Sequence, residues 1–235
     1  MQRYTFYFKI QKLFTHLFNY YFLTLDSENM DKLLDNGESL PLVESFYTIQ
    51  GEGYNTGKAA FFIRLAGCSV GCSWCDAKQT WNPLEYPPVG VDNIVEDVLK
   101  TPAKYVVITG GEPLRYRLDT LCGKLKGHGL ELFLETSGTE RLSGIFDWIC
   151  LSPKRKKAPR KDICSQADEI KVVIENEGDF EWAEENRKQV REGCKLYLQP
   201  EWSRSKEMLP KIIEYVKSHP EWEISLQTHK FMSIP

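Results

Sequence analysis

The chain has 235 residues, enough for one large domain or two small ones, and with 42% hydrophobic and 27% charged residues it has the make-up of a globular protein. Thirty basic against 33 acidic residues give a formal net charge of −3, which excludes a global attraction to nucleic acid or to an anionic membrane. Among the seven cysteines, Cys122, Cys150, Cys164 and Cys194 stand singly, as expected of free, mostly buried thiols in a reducing cytoplasm and not of a disulfide framework.

Residues 1–29 differ from the rest. They hold nine aromatics, the basic residues Arg3, Lys9 and Lys12, and an apolar stretch from Leu13 to Leu25 broken by His16 and Asn19. No small-residue cleavage site follows, and no apolar run reaches the roughly 20 residues of a membrane span. A membrane-surface helix is one reading. The favoured one starts translation at Met30, with 1–29 a leader outside the fold and 30–235 a single domain.

From there β-rich and helical stretches alternate. β-Branched and aromatic runs predict strands at 43–48, 60–65, 105–109, 131–135, 147–151, 169–174, 195–199 and 223–227. Helices are predicted at 91–100 with Asp92 as cap, 115–127, 178–191 and 204–218. The runs YVVIT, LFLET, WICLS and IKVVI are continuously apolar enough for parallel strands covered on both faces. This order implies an α/β fold of mainly parallel strands, a barrel or part of one, with an open doubly wound sheet as the alternative.

Ligands of such folds bind at the carboxyl ends of the strands. Polar or glycine-rich segments follow six consecutive predicted strands: the cysteine loop after 60–65, then TGGEP (109–113), ETSG (135–138), SPK (152–154), QP (199–200) and QTHK (227–230). They are expected to converge on one face.

The loop GCSVGCSWCDA brings Cys68, Cys72 and Cys75 together without a fourth cysteine. Structural zinc takes four ligands and catalytic zinc usually includes histidine, which is absent nearby. A thioredoxin-like pair would leave Cys68 idle. An iron–sulfur cubane with three thiolates leaves one iron open for a chelating ligand. Gly67 and Gly71 let the backbone wrap closely, and Trp74 can shield the group.

Other segments carry two readings. Gly110 and Gly111 of TGGEP permit the unusual backbone angles of a turn, which Pro113 stiffens, and a cofactor would give the motif a second use. Thr136 and Ser137 offer hydroxyls, or Ser137 caps a short helix. The run KRKKAPRK, residues 154–161, is a solvated loop or an anion-binding rim. In FYTIQGEG, Gln50 and Gly51 can pair with a heterocycle edge and Glu52 with ring nitrogens, or the glycines simply make a turn. Arg64, on an apolar strand, needs a carboxylate partner.

The C-x3-C-x2-C loop with Trp74 before the last cysteine resembles the signature of the radical S-adenosylmethionine superfamily. That likeness implies a [4Fe–4S] cluster on Cys68, Cys72 and Cys75 whose open iron is chelated by S-adenosylmethionine. Together with FYTIQGEG, FIRLAGC, TGGEP, ETSG, SPK and QTHKFMSIP, the chain from Val43 to Pro235 resembles the 7-carboxy-7-deazaguanine synthase family. The family converts 6-carboxy-5,6,7,8-tetrahydropterin to 7-carboxy-7-deazaguanine with loss of ammonia, on the path to deazapurines such as queuosine. Its fold is a partial (β/α)6 barrel, usually in a homodimer. The resemblance implies cofactor contacts at Trp74, Cys75, Asp76, Gly110, Gly111, Glu112, Thr136, Ser137, Ser152, Pro153, Lys154 and Gln199. It implies substrate contacts at Ile49, Gln50, Gly51, Glu52, Arg64, Thr109, His229 and Pro235. It also implies a flavodoxin- or ferredoxin-type electron donor, no direct nucleic acid partner and no membrane partner. Many members bind magnesium through a threonine where this chain has Ala77, whose methyl cannot ligate; the alternatives for the ion are the substrate carboxylate, waters, or Thr80 or Asp76 after a loop shift. Two rivals remain: a different radical enzyme, such as a glycyl-radical activase, and a non-enzymatic iron–sulfur carrier or zinc module.

Overall fold

A computed structural model describes residues 36–235; the leader 1–29 lies outside the described residues. The strands are β1 (Ser39–Ile49), β2 (Ala59–Leu65), β3 (Pro88–Gly90), β4 (Tyr105–Gly110), β5 (Glu131–Thr136), β6 (Trp148–Leu151), β7 (Glu169–Ile174), β8 (Lys195–Pro200) and β9 (Trp222–Ile224). The α-helices are α1 (Val91–Leu99), α2 (Asp119–Gly127), α3 (Lys161–Cys164), α4 (Gly178–Arg187), α5 (Ser205–Ser218) and α6 (Thr228–Met232).

All nine strands join one sheet in the order β3-β1-β2-β4-β5-β6-β7-β8-β9. From β2 through β9 every neighbouring pair is parallel. β1 runs antiparallel to β2, joined by the turn 50–58, and β3 pairs antiparallel with the start of β1. β3 and β9 remain at opposite edges, so the sheet is an unclosed barrel with a parallel core.

Side chains alternate across each strand, and the alternation decides what faces where. Val106 and Ile108 of β4 and Leu132 and Leu134 of β5 pack outward with Ile94 and Val98 of α1 and Leu121 and Leu125 of α2. Ile170, Val172 and Ile174 of β7 do the same with Ala183 of α4 and Met208 and Ile212 of α5. Each fully buried aliphatic side chain contributes about 1.5–3 kcal/mol. The other phase, Ala60, Val107 and Phe133, forms a small inner cluster. In β7 the same inner phase carries Glu169 and Lys171, both buried. The run IKVVI, read as apolar, thus sends a lysine into the barrel.

Three local expectations are corrected. Helix α1 is capped at Gly90 without a side-chain hydrogen bond; Asp92 lies in its first turn, favourable for the helix dipole, and pairs with Lys124 of α2. Residues 137–147 between β5 and β6 contain no helix, so Ser137 has none to cap. Helix 115–127 begins only at Asp119, after a 3-10 turn over Pro113–Arg115.

Candidate active site

The carboxyl ends of β2 and β4–β8, the turn after β1 and the segment after β9 line one cavity of about 480 Å³. Cys68, Cys72, Trp74, Cys75 and Asp76 come from the loop after β2, Thr109 and Gly110 from the end of β4, and Gly111 follows it. Thr136 ends β5 and Ser137 follows it, Ser152 and Lys154 follow β6, and Gln199 lies near the end of β8. The predicted substrate set, Ile49, Gln50, Gly51, Glu52, Arg64, Thr109, His229 and Pro235, lines the same cavity. Pro153 is not among the lining residues, although both its neighbours are.

The cysteine loop is held by backbone contacts. Gly67 donates to the Thr80 carbonyl at 2.6 Å, Gly111 to Leu65 at 2.9 Å and Glu112 to Gly67 at 2.8 Å. A Cβ on Gly111 would lie 2.5 Å from the Gly67 oxygen, so the two motifs meet where no larger side chain fits. Burial pushes the Cys72 thiol up; Lys154 pulls against this, while Cys75 and Cys68 add to it. The other four cysteines do not line the cavity. Among the described residues no group of three or more His, Cys, Asp or Glu side chains is arranged to hold a single metal ion. A cubane differs in spreading its thiolates over separate irons, and a three-thiolate donor set with no histidine suits it. The residues present therefore fit the cluster better than a zinc ion.

Glu112 has a different role from the one expected. It is fully buried and does not line the cavity. Its carboxylate accepts from the Leu114 amide at 3.1 Å, the Thr136 hydroxyl at 2.7 Å, the Ser137 amide at 2.8 Å and the Ser137 hydroxyl. Four donors from the chain itself fill its lone pairs, so it fastens the loop after β4 to the loop after β5. Thr136 and Ser137 still reach the cavity, but their hydroxyls already donate to Glu112. Lys154 donates to the Ser152 hydroxyl at 2.6 Å and lies 5.1 Å from the Trp74 ring centre. Burial lowers its affinity for the proton.

Opposite the cysteines stands an ion network that the sequence reading missed. Lys171 contacts Glu52 at 2.7 Å and Glu135 at 3.1 Å, and its side chain is 4% exposed. Gln227 donates to Glu52 at 2.8 Å, and Gln50 to Glu135 at 3.2 Å. Burial alone would raise the Glu52 carboxyl, yet Lys171 and the amides of Gln227 and Gln199 bring it to about 2. Burial alone would lower Lys171; Cys150, Glu135, Glu52 and Glu169 hold it well above its ordinary value. Deeper still, burial and Glu135 raise Glu169, which accepts from the Trp148 indole at 2.8 Å and the Tyr54 amide at 3.1 Å. Glu135 and Gln227 lay inside the quoted ETSG and QTHK segments. The inward phase of β5 was the signal for Glu135; nothing local marked Lys171.

Arg64 meets Glu44 through Nε at 2.7 Å, a single contact and not a bidentate one. Burial lowers the His229 imidazole, which keeps it neutral near pH 7. Lys230 reaches Asp76 at 3.3 Å and Gln227 at 2.9 Å and lies 4.7 Å from the Trp202 ring centre. Of the two side chains named as alternative magnesium ligands, Thr80 is corrected: it is fully buried, absent from the lining and donates to the Ala77 carbonyl at 2.7 Å. Asp76 lines the cavity, as does Ala77.

The basic run is exposed at Arg155, Lys156, Lys157 and Lys161, with several of its charges held in ion pairs. Arg155 pairs with Asp179, Lys157 with Glu140 and Arg160 with Asp162, and Lys156 donates to the Gly71 carbonyl. Among the described residues no helix is long and apolar enough to cross a membrane.

Residues 62–147 match the family model described as the Radical SAM superfamily. A 7-carboxy-7-deazaguanine synthase of Flavobacterium psychrophilum is 50% identical over 202 residues, 86% of this chain and 96% of the relative. One from Synechocystis is 47% identical, covering 83% of this chain and 94% of its own length. The crystal structure of QueE from Escherichia coli superposes with a TM-score of 0.74 at 30% identity, covering 83% of this chain and 97% of that one. With three cysteines, the glycine loops and a polar network on one cavity, and with relatives matched over nearly their whole length, the chain belongs to the 7-carboxy-7-deazaguanine synthase family of radical SAM enzymes.

Proposed function

We propose that this chain is the lyase that converts 6-carboxy-5,6,7,8-tetrahydropterin to 7-carboxy-7-deazaguanine with release of ammonia, in 7-deazapurine (queuosine) biosynthesis. The observation that carries this reading is the meeting of the cysteine loop, the Gly110–Gly111 backbone and the Gln50–Glu52 turn on one cavity.

Cys68, Cys72 and Cys75 would hold the [4Fe–4S] cluster, with S-adenosylmethionine beside it along Gly110, Gly111, Ser152 and Lys154. When bound, this pair supplies one-electron chemistry that removes hydrogen from an unactivated carbon. The Lys154 ammonium gives the cofactor carboxylate a counter-charge, and Trp74 covers it from water. Glu52 stays ionised because Lys171 stands against it, so it accepts from ring N–H groups of a pterin. The Gln50 amide and the Gly51 backbone read the adjoining edge. Arg64, held by Glu44, presents its remaining N–H groups to a substrate carboxylate. Neutral His229 offers one nitrogen as an acceptor or proton carrier. Phe46 and Phe62, stacked at 5.5 Å, give the ring an apolar wall. Ile234 and Pro235 line the same cavity. Magnesium, which seeks hard oxygen ligands, would find the Asp76 carboxylate in place of the family threonine. The low-potential electron comes from outside the chain, and a homodimer is the expected assembly.

Anaerobic reconstitution followed by incubation with the carboxytetrahydropterin, S-adenosylmethionine and dithionite tests the assignment. Mass spectrometry is expected to find 7-carboxy-7-deazaguanine, and Cys72→Ala is expected to lose both iron and turnover. Cluster-loaded enzyme that forms no such product would overturn it.

A further inference from the structure

We propose that Lys230 takes the part of the family's magnesium ion in this chain: its ammonium supplies the positive charge for the substrate carboxylate, and turnover needs no divalent cation. The proposal rests on the function proposed above and names the group that, together with Arg64, meets the carboxylate.

The loop after β2 is a poor host for the ion. Magnesium demands near-octahedral oxygen donors at about 2.0–2.1 Å, and Ala77 presents a methyl group. Thr80 is fully buried in the 3-10 turn Lys78–Thr80. Its amide and hydroxyl both donate to the Ala77 carbonyl, at 2.9 and 2.7 Å, and its own carbonyl accepts from Gly67 at 2.6 Å. Freeing that hydroxyl would undo the turn that anchors the start of the cysteine loop. The Asp76 carboxylate, which remains, is already engaged. Its Oδ2 faces the Lys230 ammonium at 3.3 Å and the Gln227 amide at 3.3 Å. An ion on this oxygen would have to displace the ammonium or lie against it, and like charges repel.

The ammonium itself is held in place from several sides. Gln227 donates to Glu52 at 2.8 Å, which turns its carbonyl oxygen onto Lys230 at 2.9 Å. Glu52 is in turn fixed by Lys171 at 2.7 Å. The Trp202 ring centre lies 4.7 Å from the Lys230 nitrogen, a cation–π contact. Thr228 ties the start of α6 to the Gly51 carbonyl through both its amide and its hydroxyl. An ammonium has three donors. Two go to Gln227 and Asp76, the second over a long contact to a carboxylate that is 64% exposed, so one is left for a ligand oxygen. The Lys230 side chain keeps 22% of its surface open and lines the cavity with Arg64. Lys171, the cation deeper in the site, is buried between Glu52 and Glu135 and has no such freedom. Lys154 lies with Ser152 against Trp74, on the side given to the cofactor.

The probes are 6-carboxypterin and pterin, which share the ring system and differ by the carboxylate. Each is titrated calorimetrically into anaerobically reconstituted enzyme with S-adenosylmethionine, once with chelator and once with magnesium. The parent is expected to bind 6-carboxypterin equally in both, and its turnover of the carboxytetrahydropterin is expected to survive the chelator. Lys230→Met is expected to weaken 6-carboxypterin about tenfold or more, the ordinary worth of a hydrogen bond to a charged group, and to leave pterin unchanged. Lys230→Arg should recover part of the loss. Manganese, a paramagnetic stand-in for magnesium, is expected to stay free in the presence of the parent and 6-carboxypterin. A bound manganese signal stoichiometric with the parent, parent binding or turnover that collapses with chelator, or a Lys230→Met variant that weakens both pterins equally would overturn the proposal. A parent that binds 6-carboxypterin and forms 5′-deoxyadenosine but yields no deazaguanine product in either condition would instead remove the lyase reading, while the two titrations still decide whether Lys230 pairs with the carboxylate.

Discussion

Lys171 stands on a strand whose other central residues are Ile170, Val172 and Val173, and it is the only cation in contact with both Glu52 and Glu135 among the described residues. Removing one partner of a buried ionic group leaves uncompensated charge, which typically costs about 3–5 kcal/mol. Lys171→Met is therefore expected to destabilise the apoprotein by about that amount in urea unfolding. A variant as stable as the parent would show that the network carries no net weight. The residue was illegible in sequence because a single lysine in an apolar run marks neither site nor surface. Cys68, Cys72 and Cys75 were legible because their spacing is itself the chemistry. Glu112 lay between: its motif pointed to the site, while its partners, Thr136 and Ser137, are 24 and 25 residues away and only the fold shows that they use up its oxygens.

At the scale of elements, α6 is the clearest test. None of its residues is buried, yet it delivers His229 and Lys230 to the cavity. Thr228 donates its amide to the Gly51 carbonyl at 2.9 Å. Truncation after Gln227 is expected to change stability by about 1 kcal/mol, as for an exposed terminus. Turnover is expected to fall by about two orders of magnitude, the usual consequence of losing groups that orient a substrate. Melting curves beside initial rates separate the two effects, and a truncated protein with full turnover would refute the role given to α6. The main strands and all four longer helices, α1, α2, α4 and α5, could be read from the sequence, because burial on one or both faces writes itself into composition. The antiparallel entry of β1 could not. Its residues suit either direction, and the turn 50–58 that reverses the chain lacks the short two-residue form that signals a hairpin.

For the whole molecule, the ion network joins elements distant in sequence: the turn after β1, the middle of the sheet at β5 and β7, and the segment after β9. The Glu52 carboxyl sits at about 2 against an ordinary 4.5. A folded value below the unfolded one gives stability that is present above the unfolded value and lost as pH falls toward the folded value. A shift of this size corresponds to about 3 kcal/mol, lost between about pH 4.5 and 2. Glu52→Gln should flatten that part of the stability–pH curve. A steep loss retained in the variant would assign it to other carboxylates. The partial barrel was legible in the alternation of strands and helices and in the family resemblance; that β3 and β9 form its two edges was not, since edge pairing is decided by geometry between the two ends.

Because β3 and β9 never meet, the ring of strands is fastened along one seam by the turn 50–53, whose Gly51, Glu52 and Gly53 bond to Thr228, Gln227 and Ser225. A zipper of strands would have to part before a bicyclic guest could enter, whereas a clasp of this kind can gape and snap shut while the wall stays whole. Amide exchange should accordingly run fastest at 50–53 and 225–230 in the empty protein and slow there once both guests are in place; uniform protection would mean that the door lies elsewhere.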